Sequence, residues 1–585
     1  MNRFRIALIV LGLAAYGIAF YATPLPSLRN DAGQPLLRFD LLWQLVWLPD
    51  VWLLPNWFGS PPEFSLLDRL PLLSVAGAIL TWGLLLGWLL LEMIRAAFGD
   101  AREGEITERS APSVGLAAGT PASRLTRLET FVFSLAMGLN AISTWVLLLG
   151  LLGVMNWLGM FLVPAILTVA TAGYLYRRRP RLPAVAIRNS DGKGDSPIFV
   201  DTKIGTVPSE GAILHSYWLW AALPFVVAIF LAAMTPPLDF DVREYHLQAP
   251  KEFFQQGRIA FLPHNVYANM AMGTEMLSLL AMVISGDWWL GALAGKTAIA
   301  AFTPLTALAL WTGGRRFASP TAGIVAALAY ISIPWVMSIA SGGFVEGASA
   351  CYLFLTVYAL LLAGEPPAFR FLALTGYLAG AAVATKYPAV LFVLLPLTIA
   401  VVWKRATPAA SSAWRIQTWR KQVGQKAAIL GLFLLAAMLA CGLWFAKNWV
   451  LTGNPTYPLL YGLFDGQTWN MAKEQQWNSV HRPHDFSLPT LGNDLGRVLL
   501  TSDWLSPLVV PLAALVLVGL GDAPTRRRRM TLLGYVGFVV AVWWLFTHRI
   551  DRFWIPVLPV MALLAGLGAC WTGRRWWRVL LLLML

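Results

Sequence analysis

Stretches of about 20 residues with few or no charges recur along this 585-residue chain, each long enough as a helix to cross a hydrocarbon core of roughly 30 Å. About fourteen windows meet that criterion. Inside lipid every backbone N–H and C=O must be paired within the protein, which leaves helices as the only reading of such windows. Composition agrees: 57% of residues are hydrophobic and 13% charged, the latter about half the charged fraction of a soluble domain. The expected fold is an all-α polytopic membrane protein. Its first window, Phe4 to Tyr21, has no clean small-residue cleavage site after it and reads as a retained span rather than a signal peptide.

The formal net charge of +14 does not point to nucleic acid, because the basic residues cluster in short stretches beside apolar spans and form no basic face interleaved with aromatics. Lys and Arg bias instead assigns sides. The stretches 95–128 and 177–216, Arg315 and Arg316, the loop from Lys404 to Lys426, Arg526 to Arg529, and Arg574, Arg575 and Arg578 read as cytoplasmic. The spans between these anchors always come in even numbers. Segments 23–70, 236–289, 341–346, 386–388, 447–505 and 548–552 therefore face the other side. Cys351, Cys441 and Cys570 lie in apolar spans, form no CxxC pair, and read as small core residues.

Four regions are expected. Residues 1–176 form an N-terminal four-span membrane region, and 177–216, with Arg-Asn-Ser-Asp-Gly-Lys-Gly-Asp-Ser-Pro at its centre, a cytoplasmic linker. Residues 217–571 form a membrane core with outer loops 236–289 and 447–505, and 572–585 a short basic and apolar C-terminal segment. Val579 to Leu585 is too short to span; it reads as an interfacial piece or as part of a longer chain.

Polar chemistry concentrates in the outward segments. Pro236-Pro237-Leu238-Asp239-Phe240-Asp241-Val242-Arg243-Glu244-Tyr245-His246 places three carboxylates, an arginine and a histidine at the mouth of a helix, opening a loop too long to be a simple connector. The amphipathic pieces Leu247 to Gln256 and Met270 to Met282 suit the membrane interface. The same residues also suit a solvated loop with a helix cap. Phe344-Val345-Glu346, Thr385-Lys386-Tyr387-Pro388, Lys447-Asn448-Trp449 with Thr452-Gly453-Asn454-Pro455-Thr456-Tyr457-Pro458, and Arg552-Phe553-Trp554-Ile555-Pro556-Val557-Leu558-Pro559 fall on the same side. Glu346 and Lys386, each taken alone, equally suit snorkelling to water. Arg549, Asp551 and Arg552 equally suit a local ion pair and interfacial anchor.

In their order and common sidedness these segments resemble the GT-C superfamily of membrane glycosyltransferases, nearest the branch of protein mannosyltransferases, lipid A aminoarabinose transferases and bacterial RgtA/B/C/D-like transferases. The resemblance covers roughly residues 217–570, with Lys447 where the family usually has arginine. It implies a GT-C-like helical bundle whose long outer loop bears interfacial helices. It also implies a lipid-linked sugar donor, a polyprenyl phosphate sugar, since no nucleotide-binding loop is present and the site faces away from cytoplasmic nucleotides. Displacing phosphate from an anomeric carbon needs a base for the acceptor hydroxyl and cations for the departing phosphate, and no general acid. The catalytic set is Asp241 as base, Asp239 as its alternative, Glu244 orienting or neutralising Arg243, and Glu346 as a second acidic residue. Arg243, His246, Lys386, Lys447 and Arg552 form the donor and phosphate-binding set, Arg552 being suited to a bidentate clasp. The expectation is an inverting transferase in a bacterial inner membrane, with its site on the periplasmic side and a glycan, lipid or protein acceptor.

Other motifs fail. Gly291-Ala-Leu-Ala-Gly295-Lys296-Thr297 has three residues between its glycines where a P-loop has four, and no strand precedes it; Lys296 stays a functional candidate as an intramembrane charge. His246, His264, His481 and His484 lack ligand spacing for zinc, so no metal ligands are assigned, and whether a divalent metal takes part stays open. A secondary transporter would place its charges near the midplane on broken helices, often with a repeat. A lipid-carrier polymerase or ligase would share the location but not the early acidic loop.

Overall fold

The computed structural model describes residues 3–29, 32–40, 69–99, 125–178, 216–364, 367–403, 415–483, 485–500, 502, 504–518 and 523–584. Most of the 177–216 linker, most of 95–128, residues 41–68 and 404–414, and His484 lie outside the described residues. The rest is helical apart from one antiparallel ribbon, Pro24–Arg29 with Pro35–Leu37. Among the described residues eight helices are long and apolar enough to cross a membrane, or nine if Pro320–Ile331 and Pro334–Gly342, bent by 60° at their junction, count as one span. The chain is thus an all-α, many-pass membrane protein.

Some sequence windows correspond to shorter apolar helices, Glu346–Leu362 and Phe369–Thr385 at 17 residues each and Val390–Trp403. Helix Met276–Ser285 stops at Gly286 (φ 64°), and Asp287 caps the next helix by accepting from Leu290 N at 2.7 Å. Four apolar helices of this shorter kind, Met276–Ser285, Glu346–Leu362, Phe369–Thr385 and Val390–Trp403, lie among the longer ones. The expectation that 270–282 lies along the interface does not hold: Met276 through Val283 are all buried, and the helix packs on Trp288–Ala300 and on Arg127–Leu151. An apolar face turned to a protein neighbour has the same periodicity as one turned to lipid. The other amphipathic piece is the helix Gln248–Gln256, which buries Ala249, Pro250 and Phe253 and sets Lys251 over the Trp288 ring at 4.1 Å.

Helices Leu70–Phe98 and Arg127–Leu151 approach backbone to backbone: a Cβ added at Gly87 would strike the Ser134 carbonyl, and one at Gly138 the Gly83 carbonyl. Small residues at such crossings are how helices pack tightly in lipid. Both helices also pack directly on later ones, with Tyr352 donating to Ala136 O at 3.0 Å and Asn140 reaching Tyr377 Oη at 3.2 Å.

Basic residues gather at one end of the bundle. There Arg316 pairs with Glu129 at 2.9 Å, Arg528 donates to Phe317 O at 3.4 Å, and Arg95 donates to Thr130 at 3.2 Å. Glu129 is almost fully buried; it completes the Thr126 capping box and accepts from Tyr358. Removing one partner of a buried pair leaves the others desolvated. Glu129→Ala is therefore expected to cost about 3 kcal/mol, read as a lowered unfolding midpoint in detergent; an unchanged midpoint would show the cluster to be incidental.

Candidate functional site

The opposite end is built by four segments far apart in sequence. Helix Leu223–Ala233 ends before Thr235-Pro236-Pro237, where two prolines cannot continue the ladder. Asp239 and Asp241 follow, and Asp241 opens the wide turn Val242–His246, whose Val242 and His246 point inward while Arg243 and Glu244 stay exposed. Glu346 opens helix Glu346–Leu362, a favourable place for an anion near the helix N-terminus. Just before it Gly343 adopts φ 96°, with Lys296 Cγ 2.9 Å from where a Cβ would sit, so that only glycine fits. Lys386 lies at the C-terminal end of helix Phe369–Thr385, with Pro388 ending that run, and Arg552 sits in the turn Asp551–Phe553 ahead of helix Leu558–Ala569.

These segments bring charges into contact. The Glu346 carboxylate, 1% exposed, accepts from Lys386 Nζ at 2.7 Å and lies 3.5 Å from Arg552 Nε through the same oxygen. Arg552 also donates to Asp241. One buried carboxylate therefore holds two cations side by side, and a second, partly exposed one closes over the arginine. Phe344 and Phe553 lie against the Arg552 guanidinium at 5.0 and 5.8 Å, and Lys386 Nζ is 4.4 Å from the Phe553 ring. Asp239 lies beside the cluster, 3.1 Å from where a Gly342 Cβ would stand and close enough to act electrostatically on Lys296 and Arg552. Lys296 is buried and donates to Thr235 O at 2.9 Å. Three carboxylates thus face three cations, Lys296 joining from helix Trp288–Ala300.

Not every expected residue joins. Lys447 is buried and held by the carbonyls of Asn269 and Met270 at 3.0 and 3.5 Å, which ties its helix to the outer loop. His246 turns inward onto Glu275, Nδ1 to Oε1 at 2.7 Å, both buried. Arg243 and Glu244 make no ion pair with each other among the described residues. Arg549, Asp551 and Arg552 do not pair among themselves: Arg549 reaches Asp494 at 3.2 Å and Asp551 takes Arg497, both on the outer-loop helix Leu488–Leu499. Arg549 holds a left-handed φ of 57° to do so. Sequence reasoning passed over Glu275, although a carboxylate in the apolar run Met270 to Met282 is itself a signal.

A band of rings lies beside the charges. Trp477 and His481, one turn apart on helix Met471–His481, stack at 3.8 Å, and His481 meets His548 at 5.1 Å. Burial, the neighbouring His481 and the Lys386 charge push the His548 pKa down to about 4, and burial lowers that of His481. Tyr245 is pushed well above the usual phenol range by burial and by Glu346, Glu275 and Tyr267. Among the described residues no group of three His, Cys, Asp or Glu side chains is placed to hold a metal ion.

Fold and site together define a many-pass membrane protein that gathers charges from five segments at one end of its helical bundle. No family model and no curated protein matches the chain. Among solved structures it is similar to the crystal structure of ArnT from Cupriavidus metallidurans bound to undecaprenyl phosphate, at 15% identity and a TM-score of 0.42. The chain spans 61% of the length of that protein, and the match covers 61% of this chain. A likeness of that strength assigns no residue and no substrate.

Proposed function

We propose that the chain is a glycosyltransferase that moves a sugar from a polyprenyl phosphate to an acceptor hydroxyl at the non-cytoplasmic face of a bacterial inner membrane. The observation that carries this is the pair of cations, Lys386 and Arg552, held on the buried Glu346 next to Asp241. The site lies at the end opposite Arg315, Arg316 and Arg526 to Arg529, which the positive-inside bias keeps in the cytoplasm. Of the segments that resemble GT-C transferases, those carrying Asp241, Glu346, Lys386 and Arg552 meet here, while Lys447 and His246 turn elsewhere.

In this reading a donor phosphate oxygen competes with Asp241 for Arg552. Its arrival leaves the Asp241 carboxylate free to take the proton of the acceptor hydroxyl as that oxygen attacks the anomeric carbon. The bond from that carbon to the phosphate oxygen breaks, and the electron pair leaves on the phosphate, whose charge Arg552 and Lys386 stabilise. Attack opposite the leaving group inverts the anomeric centre. The acceptor hydroxyl belongs to a glycan, a lipid or a protein.

The test is sugar release from a panel of polyprenyl phosphate sugars by the purified full-length protein in nanodiscs; no release from any of them would sink the proposal. Arg552→Lys should weaken polyprenyl phosphate binding about tenfold, since a point ammonium cannot reproduce a planar two-point contact, and Arg552→Ala should weaken it further. Unchanged binding in both would make Arg552 an anchor only. The 60° bend between Pro320–Ile331 and Pro334–Gly342 is a feature a transporter would share. Sugar flux without bond cleavage in proteoliposomes would favour that reading.

A further inference from the structure

The rings beside the charge cluster close into a circuit. Tyr245 stacks on Tyr267 at 5.0 Å, Tyr267 lies 6.4 Å from His481 and 3.3 Å from its Nε2 through its hydroxyl, and His481 meets His548 edge to face at 5.1 Å. His548 then meets Phe553 at 4.8 Å, and Phe553 lies under Lys386. Lys386 is bound to Glu346, and Tyr245 leads back to Arg552 through the His246 and Phe344 rings, at 4.1 Å and then 6.2 Å between centroids. The five rings come from four segments: the first outer turn, the Tyr267–Asn269 turn, helix Met471–His481 and the 548–553 turn. None of the five is fully buried. Trp477 backs His481 from behind.

The geometry points to a carbohydrate subsite: this aromatic collar receives the sugar ring of the lipid-linked donor while Lys386 and Arg552 hold the adjoining phosphate. The assignment rests on the phosphate role proposed for those two cations. Three observations favour a sugar over other occupants. Burial favours the neutral form of both histidines, so neither adds a cation to Lys386 and Arg552. The collar's polar atoms, the Tyr245 and Tyr267 hydroxyls and the His548 imidazole nitrogens, sit at ring edges, as needed to bond hydroxyls while ring faces take the C–H side of a sugar; His481 is engaged by Tyr267 and by Trp477 O. And the collar's last ring, Phe553, lies against both Lys386 and Arg552, the cations proposed to hold the phosphate.

The experiment compares undecaprenyl phosphate with undecaprenyl phosphate carrying glucose, mannose or arabinose, measuring the affinity of each for the full-length protein in nanodiscs. Wild type is expected to bind at least one sugar-bearing form about five- to tenfold more tightly than the bare lipid. Tyr267→Ala should erase that ratio and leave bare-lipid affinity within about twofold, whereas Tyr267→Phe, which keeps the ring and loses only its hydrogen bond to His481, should keep most of it. Should Tyr267→Ala also lose the bare lipid, His548→Ala decides by the same ratio. Bare lipid bound normally with the ratio unaltered in these variants, or no ratio in wild type, overturns the collar alone. Failure of wild type to bind any form overturns the phosphate site and the collar with it.

Discussion

Asp241→Asn is expected to lower sugar transfer by about 10²–10⁴-fold while the protein still folds and still binds polyprenyl phosphate. Asparagine keeps the shape of the side chain and can still offer its carbonyl to Arg552, but it cannot take a proton from the acceptor. Folding should survive because Asp241 is partly exposed and its lost partner, Arg552, keeps Glu346. Lipid binding should hold or tighten, since the carboxylate that competes with phosphate for the guanidinium is gone. Asp239→Asn is the internal control and should cost less, because Asp239 faces Lys296 and Gly342 and has no direct contact with Arg552 among the described ion pairs. A silent Asp239→Asn enzyme beside a normal Asp241→Asn one would exchange the two roles. Full activity in both would remove the base from this turn.

What the sequence made legible follows from which properties are local. The bias of Lys and Arg is local, so it separated the end carrying Glu129, Arg316 and Arg528 from the end carrying Asp241, Glu346, Lys386 and Arg552, residues spread over three hundred positions. The direction a side chain takes at a helix end is not local. Lys447 and Lys386 both terminate apolar runs on the same side, yet one turns into the carbonyls of Asn269 and Met270 and the other onto Glu346. His246 sits five residues from Asp241 but faces away from it, because the wide turn Val242–His246 buries its own inner face. The collar was half legible: Trp477 and His481 are spaced i, i+4 and must share one helix face, though which rings they meet depends on the packing of a loop. The same holds for Asp494 and Arg497, whose one helix reaches both Arg549 and Asp551 and so braces the turn that presents Arg552.

Glu346→Gln should split binding from chemistry. Glu346 touches no substrate in the proposed reaction; it is a positioning residue, one of whose buried oxygens fixes Lys386 and Arg552 relative to each other. Removing its charge leaves two cations beside the phosphate position with one fewer anion to satisfy them. A unit charge at about 4 Å is worth up to about 4 kcal/mol at an effective dielectric near 20, and the two cations can relax towards solvent, so the realised gain is smaller. Affinity for bare undecaprenyl phosphate should rise several-fold. Transfer should nevertheless fall about 10²-fold in kcat, because the cations are then no longer held where charge develops on the leaving phosphate, and misplacement of about 1 Å is enough for such a loss. Glu346→Asp keeps the charge at a shorter reach and should recover lipid affinity close to wild type with only part of the rate. A variant that loses lipid affinity and kcat together would mean that Glu346 maintains the fold of this end. One that changes neither would mean that the two cations find their places without it.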